Sequence, residues 1–450
     1  MQQNGIMGQL SVLSCQGQVQ MKNICIIGAG HVGLVTGACF AELGNKLVCV
    51  DDDIPKIEGL KRGALPFYEP GLEELVTRNM KDGNLTFTTS TEEGTKSADI
   101  IFIAVGTPQK PNGEADLTSV ENVSRRIARA MDKYKLIVEK STVPVKTGSW
   151  IKRTIRLANL NDIEFDIASN PEFLREGSAI EDFMKPDRIV IGVENRRAAD
   201  ALVGLYHPLN APIIVTNIET AELIKHASNS FLALKLSYIN AIANICEKVG
   251  ADVTEVAKGM GYDKRIGKEF LYAGVGYGGY CLPKDLSAFA KVAEEAGYDF
   301  ELLKAVQRIN DFQRQQLVKK AKNALWNLNG KTVGVLGLSF KPNTDDMREA
   351  PSVDIIGQLQ QEGVRIKAYD PEAMNNARQI LQNIEYCPDP YEAARDSDAL
   401  VIITEWEEFK NIDLLRIKQL LRQPVIIDGR NIFDPVEMTT LGFFYTGVGR

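Results

Sequence analysis

Short apolar runs alternate with amphipathic segments along most of the chain, beginning near residue 21. Such runs predict buried strands, and the segments between them, with apolar residues at helical spacing, predict helices that cover those strands. The first half contains the runs 23–27, 46–50, 99–104, 135–138, 165–169, 188–193 and 212–216. This alternation is typical of a mostly parallel, doubly wound sheet.

A second set of strands follows in the last third, with runs at 331–340, 364–370, 398–404 and 423–428. A helix that opens at Pro351 and ends near Gly363 makes another βαβ unit with the first two of these runs. Between the two sets, residues 219–249 contain neither proline nor glycine. A helix of that length spans roughly 45 Å at 1.5 Å per residue, so we expect it to bridge two domains.

The pattern therefore predicts an α/β fold with two Rossmann-like doubly wound domains joined by a long central helix. The predicted divisions are a flexible tail at 1–20, a first Rossmann domain at 21–215, a central helical region at 216–310 and a second Rossmann-like domain at 311–450. Residues 251–310 are expected to form short helices around a glycine-rich loop.

The first predicted strand runs into the turn Gly28-Ala-Gly30-His-Val-Gly33. A G-x-G-x-x-G turn between a strand and a helix lets backbone N–H groups at the helix start hold a pyrophosphate. Asp51 ends the next strand, 23 residues after the first glycine, where an acid accepts a hydrogen bond from a ribose hydroxyl. We expect NAD rather than NADP, because a 2′-phosphate would meet a negative charge; nearby Lys56 weakens that preference.

A glycine-rich stretch, Gly274-Val-Gly-Tyr-Gly-Gly-Tyr-Cys281-Leu-Pro-Lys-Asp285, precedes another predicted helix. Its glycines permit positive φ and a close approach of the backbone to a ligand. Pro283 suits a first helical position, so Cys281 should lie at or just before a helix N-terminus, where the helix dipole favours a thiolate. Taken alone, the stretch fits a reactive cysteine and a buried, inert cysteine equally well.

Three polar segments follow predicted strands of the first sheet: Gly106-Thr-Pro, Ser141-Thr-Val-Pro and Asn170-Pro-Glu-Phe-Leu-Arg-Glu-Gly. Each alone fits an ordinary polar loop. Because parallel strands present their carboxyl ends at one edge, however, the three should meet the glycine-rich turn there. Their convergence on one edge favours a ligand site.

Further candidate side chains lie on the long helix and in the last domain. Lys225 and Asn229 are four residues apart and share one face of the long helix; for Lys225 a solvated face is the alternative interpretation. Lys341, Arg348 and Arg430 stand at strand ends of the last domain, where cations meet phosphates. Ordinary surface salt bridges are the alternative for each of these three.

Composition narrows the class of protein. The chain has 450 residues, 44% of them hydrophobic and 25% charged, with a net charge of −7, so no basic nucleic-acid surface is expected. No apolar run reaches the length of a membrane span. Seven scattered cysteines and three histidines argue for reduced thiols, a cytoplasmic location and no metal site. Residues 1–20 make a poor signal peptide.

The motifs above, with Phe67-Tyr-Glu-Pro-Gly-Leu and Phe340-Lys-Pro-Asn-Thr-Asp-Asp-Met-Arg-Glu, occur in the order of the UDP-glucose/GDP-mannose dehydrogenase family. From Met21 to Arg450 the chain closely resembles that family, and the stretches at Tyr68 and Phe340 resemble its UDP-glucose branch. Residues 1–20 have no counterpart.

The resemblance implies an NAD-dependent four-electron oxidation of UDP-glucose to UDP-glucuronate. Two hydride transfers convert the C6 alcohol to a carboxylate without release of the aldehyde. Cys281 would capture the aldehyde as a thiohemiacetal, the second oxidation would give a thioester, and water would release the acid. The implied partners are a UDP-sugar substrate and a second copy of the chain in a homodimer or higher homo-oligomer.

The resemblance also implies residue roles. Lys225 and Asp285 would activate or orient water and stabilise oxyanions, supported by Asn229 and Thr142, and Glu172 would assist thioester hydrolysis. The cofactor set is Gly28, Gly30, Gly33, Asp51, Lys56, Thr107, Thr142, Glu176, Lys284 and Arg348. The substrate set is Glu172, Phe173, Leu174, Lys225, Asn229, Arg265, Phe270, Leu271, Gly278, Phe340, Lys341 and Arg430. Arg265 resembles an arginine that such dimers donate from the neighbouring subunit, with the long helix as the dimer core.

Three alternatives stay open at this point. The same chemistry acts on GDP-mannose or UDP-N-acetylhexosamines in close relatives. A single-step NAD-linked hydroxyacid dehydrogenase on the same plan needs a lysine but no nucleophilic cysteine. A non-catalytic nucleotide-sugar binder has no need for Cys281, Lys225 and Asp285 together.

Overall fold

The computed structural model describes residues 21–450, so the tail predicted at 1–20 lies outside the described residues. The first domain is built on eight strands: β1 (Asn23–Ile27), β2 (Lys46–Val50), β3 (Leu85–Thr88), β4 (Ile100–Ile103), β5 (Lys135–Glu139), β6 (Phe165–Ser169), β7 (Ile189–Val193) and β8 (Ile213–Thr216). Its helices are α1 (His31–Glu42), α2 (Ile54–Lys61), α3 (Leu72–Lys81), α4 (Thr91–Ser97), α5 (Thr118–Ala130), α6 (Thr147–Ala158), α7 (Ala179–Met184) and α8 (Arg196–Tyr206), followed by a 3-10 turn at His207–Leu209.

The eight strands form one sheet in the order β3-β2-β1-β4-β5-β6-β7-β8. Every neighbouring pair is parallel except β6 and β7, which run antiparallel. β1 lies at the centre of the first half, with Ile24 opposite Leu47 on one side and Ile100 on the other. Strands β4 and β5 are buried along their whole length, because separate hydrophobic clusters cover the two faces of the sheet.

The central region begins with the long helix α9 (Ile218–Val249). The side chain of Asn217 caps its first turn by accepting from the Thr220 amide at 2.8 Å, and Gly250, with φ +75°, ends it in the left-handed conformation. Three more helices follow: α10 (Val253–Gly261), α11 (Cys281–Glu295) and α12 (Glu301–Leu325). The expectation of only short helices at 251–310 is wrong, because α12 is 25 residues long and continues through residue 310.

The last domain repeats the plan of the first with a smaller sheet. Its strands are β9 (Thr332–Leu336), β10 (Arg365–Tyr369), β11 (Ile384–Tyr386), β12 (Ala399–Ile402), β13 (Val425–Asp428) and β14 (Phe444–Thr446). They are all parallel, in the order β11-β10-β9-β12-β13-β14. Its helices are α13 (Pro351–Gln361), α14 (Met374–Ile380), α15 (Pro390–Ala394), α16 (Glu407–Lys410), α17 (Leu414–Leu420) and α18 (Pro435–Thr440).

The architecture confirms the predicted α/β fold with two Rossmann-like domains and a long connecting helix. Within residues 21–450, no helix combines the length and apolar character needed to cross a membrane. The six cysteines in this part of the chain are all unpaired, and Cys281 is the one that is not buried in a core.

Candidate active site

The glycine-rich loop that precedes α11 touches the last domain at close range. A Cβ on Gly278 would lie 2.2 Å from the Glu349 carbonyl oxygen, and one on Gly279 would lie 2.7 Å from the Phe340 ring. Gly279 also has a φ of +82°, so both space and backbone conformation require glycine there. The loop thus delivers Cys281, the first residue of α11, to the junction of the two Rossmann-like domains.

Two residues far from Cys281 in sequence, Lys225 and Glu172, lie close enough in space to influence its thiol. Lys225 of α9 and Glu172, which follows β6, form a buried ion pair with 2.9 Å between Nζ and Oε1. The other oxygen of Glu172 accepts from the Leu174 amide at 2.7 Å. Both charges act on the Cys281 thiol, Glu172 by raising its pKa and Lys225 by lowering it. The structure therefore brings together a nucleophile, a cation and a carboxylate.

The Cys281 thiol is protonated in this arrangement. Burial, with smaller contributions from the Glu172 and Asp285 carboxylates, raises the pKa of the thiol to about 12, and Lys225 opposes this. The prediction that the helix dipole keeps a thiolate at neutral pH is therefore wrong here, although Cys281 does begin the helix. Desolvation and two neighbouring carboxylates outweigh one helix end.

Asp285 lies one turn into α11 and is held by two side chains. It accepts from Asn229 of α9 at 2.6 Å and from Lys284 at 2.7 Å. Burial alone would raise the pKa of Asp285, but Lys284 and Lys225 lower it below its usual value, so it is ionised at neutral pH. The same two carboxylates, Glu172 and Asp285, raise the pKa of Lys225 against the effect of burial and keep it cationic. Lys284, which we predicted to contact the cofactor, pairs with Asp285 in the structure.

The polar loops after β4 and β5 are joined to each other and to α9. The Thr107 hydroxyl donates to the Thr142 carbonyl at 2.9 Å, which connects the two loops. His226 Nε2 donates to the Val143 carbonyl at 2.7 Å. Because His226 adjoins Lys225 in α9, this bond fixes the position of Thr142 relative to the buried lysine.

The turn after β1 has the shape of a dinucleotide cradle. A Cβ on Gly30 or on Gly106 would meet no atom within 4 Å, so open space lies over the start of α1. Gly28 and Gly33 instead face each other closely, since a Cβ on Gly33 would lie 1.8 Å from the Gly28 carbonyl oxygen. These residues fit an NAD molecule with its pyrophosphate over α1.

Asp51 stands beside this cradle as predicted, but it is already paired. Its Oδ2 accepts from the Ala29 amide at 2.8 Å, and both of its oxygens lie 3.0 Å from Lys56 Nζ. Lys56 thus partly neutralises the acid that would exclude a 2′-phosphate.

Arg348 of the last domain reaches a residue of the first. Its guanidinium bonds both oxygens of Asp346, donates to Glu176 at 3.4 Å and lies over the Tyr280 ring at 4.3 Å. Burial and Asp346 raise the pKa of Glu176 to about 7. Burial also lowers the pKa of Lys341. Glu176 and Arg348 therefore form one of the polar contacts between the two Rossmann-like domains.

Four further residues predicted to bind substrate are Arg430, Leu271, Phe270 and Arg265. Arg430 donates to the carbonyls of Ile403 and Phe340 at 2.7 and 3.3 Å and lies beside Gly274 of the glycine-rich loop. Leu271 is buried in a small apolar cluster, next to Phe270, which has a φ of +62°. The Arg265 side chain is 88% exposed and pairs with Asp263.

Two basic residues near the site, Arg188 and Lys140, were not among the candidates that the sequence indicated. Arg188 lies over the Phe173 ring at 3.5 Å, and Lys225 lies near the same ring at 5.3 Å. Lys140 is buried between β5 and β6, where it bonds Asn170 at 3.0 Å. The one signal in the sequence was a lysine placed between a short buried strand, Lys135–Glu139, and the polar loop that follows it.

Known proteins provide an independent comparison. Family models match three parts of the chain: the NAD binding domain of the UDP-glucose/GDP-mannose dehydrogenase family at 22–210, its central domain at 219–312 and its UDP binding domain at 334–435. UDP-glucose 6-dehydrogenase TuaD of Bacillus subtilis (strain 168) is 52% identical over 431 residues, covering 96% of this chain and 94% of that protein. A UDP-glucose 6-dehydrogenase of Rhizobium meliloti is 46% identical, covering 95% and 99%.

Solved structures agree with the sequence comparison. A UDP-glucose dehydrogenase from the hyperthermophilic archaeon Pyrobaculum islandicum superposes with a TM-score of 0.90 at 40% identity, covering 97% of this chain and 99% of that one. A UDP-D-ManNAc dehydrogenase from Pyrococcus horikoshii has a TM-score of 0.83 at 28% identity, covering 95% and 99%.

Proposed function

The chain belongs to the UDP-glucose/GDP-mannose dehydrogenase family, and from that premise we propose that it oxidises UDP-glucose to UDP-glucuronate with NAD through a covalent intermediate on Cys281. The observation that carries this proposal is the meeting of Cys281 with the buried Lys225–Glu172 ion pair and Asp285. A single oxidation of an alcohol requires no nucleophile. A carboxylate product requires one, or an equivalent route for adding water to the aldehyde.

NAD, when bound in the cradle over α1, would accept one hydride in each of the two oxidations. In the first oxidation, the C6 hydroxyl loses its proton to solvent through the polar groups around Asp285, and the cation of Lys225 stabilises the developing oxyanion. The aldehyde then accepts Cys281: a C–S bond forms and the thiol proton ends on the former carbonyl oxygen. Because the thiol is protonated at neutral pH, this proton transfer accompanies the attack.

The second oxidation removes the C6 hydrogen and the hydroxyl proton of the thiohemiacetal and leaves a thioester. Glu172 then takes a proton from a water molecule, whose oxygen attacks the thioester carbonyl. The C–S bond breaks, and the proton passes to the Cys281 sulfur. The 2.9 Å ion pair with Lys225 holds the Glu172 carboxylate on the side of the site where Cys281 stands.

The decisive experiment is to measure NADH formed per UDP-glucose consumed, with the sugar limiting and NAD in excess. Two NADH per sugar are expected. A ratio of one would overturn the covalent mechanism and favour a single-step dehydrogenase. Cys281→Ala should lose acid formation, whereas Cys246→Ala, which changes a buried cysteine of α9 outside the site, should keep it.

Substrate choice is tested in the same assay with GDP-mannose and UDP-N-acetylhexosamines. The UDP-glucose preference is supported by the relatives at 46–52% identity, which are UDP-glucose enzymes, while the UDP-D-ManNAc dehydrogenase is only 28% identical. Turnover of GDP-mannose or an acetylated sugar without turnover of UDP-glucose would contradict it. No turnover of any of these sugars would favour a nucleotide-sugar binder.

We also infer that residues 21–215 bind NAD, residues 216–310 form a dimer and residues 311–450 bind the UDP-sugar.

Phe231, Tyr238 and Ile245 of α9 are 60%, 48% and 53% exposed and recur every seventh residue, so they form one apolar stripe. A second α9 would cover it and bring an exposed Arg265 to its partner. Phe231→Asp should halve the mass measured by light scattering, and Trp326→Asp, at an exposed site on the end of α12, should not. A wild-type monomer would contradict the dimer.

A further inference from the structure

Lys140 is a buried lysine that the mechanism above leaves without a role. It directly follows β5 and is 5% exposed. Its Nζ bonds Asn170 Oδ1 at 3.0 Å and the Tyr206 hydroxyl at 3.4 Å, both of them neutral partners. Burying an ammonium group with neutral partners costs free energy that an apolar side chain of similar size would not cost. The position therefore needs an explanation beyond packing.

Asn170 connects Lys140 to the site. Its side chain accepts from Lys140 and from the Tyr206 hydroxyl, and it donates to the Val190 carbonyl of β7 at 2.8 Å. Its backbone amide donates to the Glu139 carbonyl at 2.8 Å. These bonds fix the start of the loop that, two residues later, carries Glu172 to Lys225.

Charge provides a second connection. Of the ionisable groups around Lys140, Glu172 attracts its ammonium and Lys225 of α9 repels it, while Tyr206 of α8 bonds it as a neutral hydroxyl. Lys140 and Cys281 therefore both interact electrostatically with the Glu172–Lys225 pair.

We propose that Lys140 is a positioning residue for the hydrolytic step: through Asn170 it sets the place of the Glu172 carboxylate, and its positive charge draws that carboxylate away from an exclusive pair with Lys225. This inference rests on the proposed role of Glu172 as the base that takes the water proton. Without Lys140, the two oxidations should proceed, but hydrolysis of the thioester should be slow and the thioester should accumulate.

Burial, reinforced by Lys225 and opposed by Glu172, lowers the pKa of Lys140 to about 7. Its charge is therefore present below pH 7 and is lost as the pH rises through 7. The hydrolytic rate of the wild-type enzyme should show a limb near that pH, and the limb should be absent from variants without a titrating group at 140.

The test uses the full chain with UDP-glucose and NAD, stopped in acid during turnover and weighed intact by mass spectrometry. Lys140→Met should carry a sugar-nucleotide adduct on Cys281 that the wild type does not accumulate. Its kcat should fall roughly tenfold, less than the 10²–10⁴ attributed to a general base because Lys140 only positions that base, with little change in KM. Lys140→Arg should recover most of the rate and show no limb near pH 7.

Stability separates this role from a structural one. Because Lys140→Met removes a buried charge, its Tm should stay the same or rise. Should Lys140→Met fail to fold, Lys140→Gln takes its place. Tyr206→Phe leaves the bond from Lys140 to Asn170 and should hydrolyse the thioester within about threefold of wild type.

Two results would overturn the proposal. One is a Lys140→Met enzyme with wild-type kcat and no adduct, and the other is an equal loss in both oxidations, as general disruption would give. Glu172→Gln identifies which idea has failed. An adduct in Glu172→Gln but not in Lys140→Met overturns the role of Lys140 alone, and no adduct in either overturns the role of Glu172 as well.

Discussion

The two Rossmann-like domains begin with the same unit, a strand, a glycine and an acid at the end of the next strand, yet they use it differently. In the first, α1 starts three residues after Gly28, and the space over Gly30 is open. Asp51 accepts from the amides of Ala29 and Asp53, and both of its oxygens pair with the partly exposed Lys56. The turn can therefore receive an outside ligand.

In the second domain the corresponding space is filled by the protein itself. Gly337 has a φ of +92°, and a Cβ there would lie 2.4 Å from the Thr404 side chain. Asp370, at the end of β10, is fully buried and accepts from the amides of Leu338 and Ser339 at 2.7 and 3.0 Å and from the Trp406 indole at 3.1 Å. The two amides after Gly337 already donate to Asp370, so they are not free to bind a pyrophosphate.

The difference shows that the acid at the end of the second strand has two possible uses. Where the helix starts at once, the amides at its N-terminus face outward and the acid is left for a ribose. In the second domain α13 starts only at Pro351, so the intervening loop folds back over the turn and the acid caps it. We therefore expect a ligand of this domain to contact the loop from Phe340 to Arg348 rather than the turn.

The largest expected effect comes from replacing each of the two acids, Asp370 and Asp51, by alanine. Asp370→Ala leaves several buried N–H groups without an acceptor and should cost about 3–5 kcal/mol of folding stability, with NAD affinity retained. Asp51→Ala should weaken NAD binding by about 1.5–3 kcal/mol and hardly change stability. Urea unfolding and NAD titration measure both. Equal effects of the two variants on both quantities would remove the distinction.

The next effect concerns the close approach in the first turn. Gly33→Ala forces a contact with the Gly28 carbonyl and should cost about 3 kcal/mol of stability, together with most NAD binding. UDP binding in the last domain should persist in a folded variant, as titration with UDP would show. NAD binding at wild-type strength would contradict the cradle.

The contact between the two domains should respond to pH. Burial and Asp346 raise the pKa of Glu176 from 4.5 to about 7, so the native state binds a proton that the unfolded chain has released. Its contribution to stability is present below pH 4.5 and is lost as the pH rises through 7. Glu176→Gln should flatten the fall in unfolding free energy between pH 5 and 7, and Glu181→Gln, on exposed α7 surface, should leave it unchanged.

The smallest expected effect concerns a glycine in α13, the helix of the second domain that corresponds to α1. Gly357 of α13 has open space where a Cβ would stand, in contrast to Gly33 of α1. Gly357→Ala should therefore raise stability by about 0.5–1 kcal/mol, because alanine is the better helix residue. Thermal unfolding beside Gly33→Ala measures the contrast, and a loss of stability would show that α13 is as crowded as α1.

Much of this protein follows from its sequence alone. The apolar runs determine the strands, since a segment buried on both faces of a parallel sheet needs apolar side chains along its whole length. The absence of proline and glycine from 219–249 determines α9, and the turn at Gly28 with Asp51 determines where NAD fits. All these are local patterns, which a single stretch of chain contains.

Other properties depend on residues that only folding brings together. Asp51 and Asp370 end equivalent strands, but burial decides that one is left for a ligand and the other caps a turn. Cys281 begins a helix, yet Glu172, more than a hundred residues earlier, helps to keep its thiol protonated. Lys140 is distinguished in the sequence only by its place between a buried strand and a polar loop, and its role depends on Asn170 and Glu172 around it. Desolvation and pairwise charge depend on distance in space, and that distance is decided by tertiary structure.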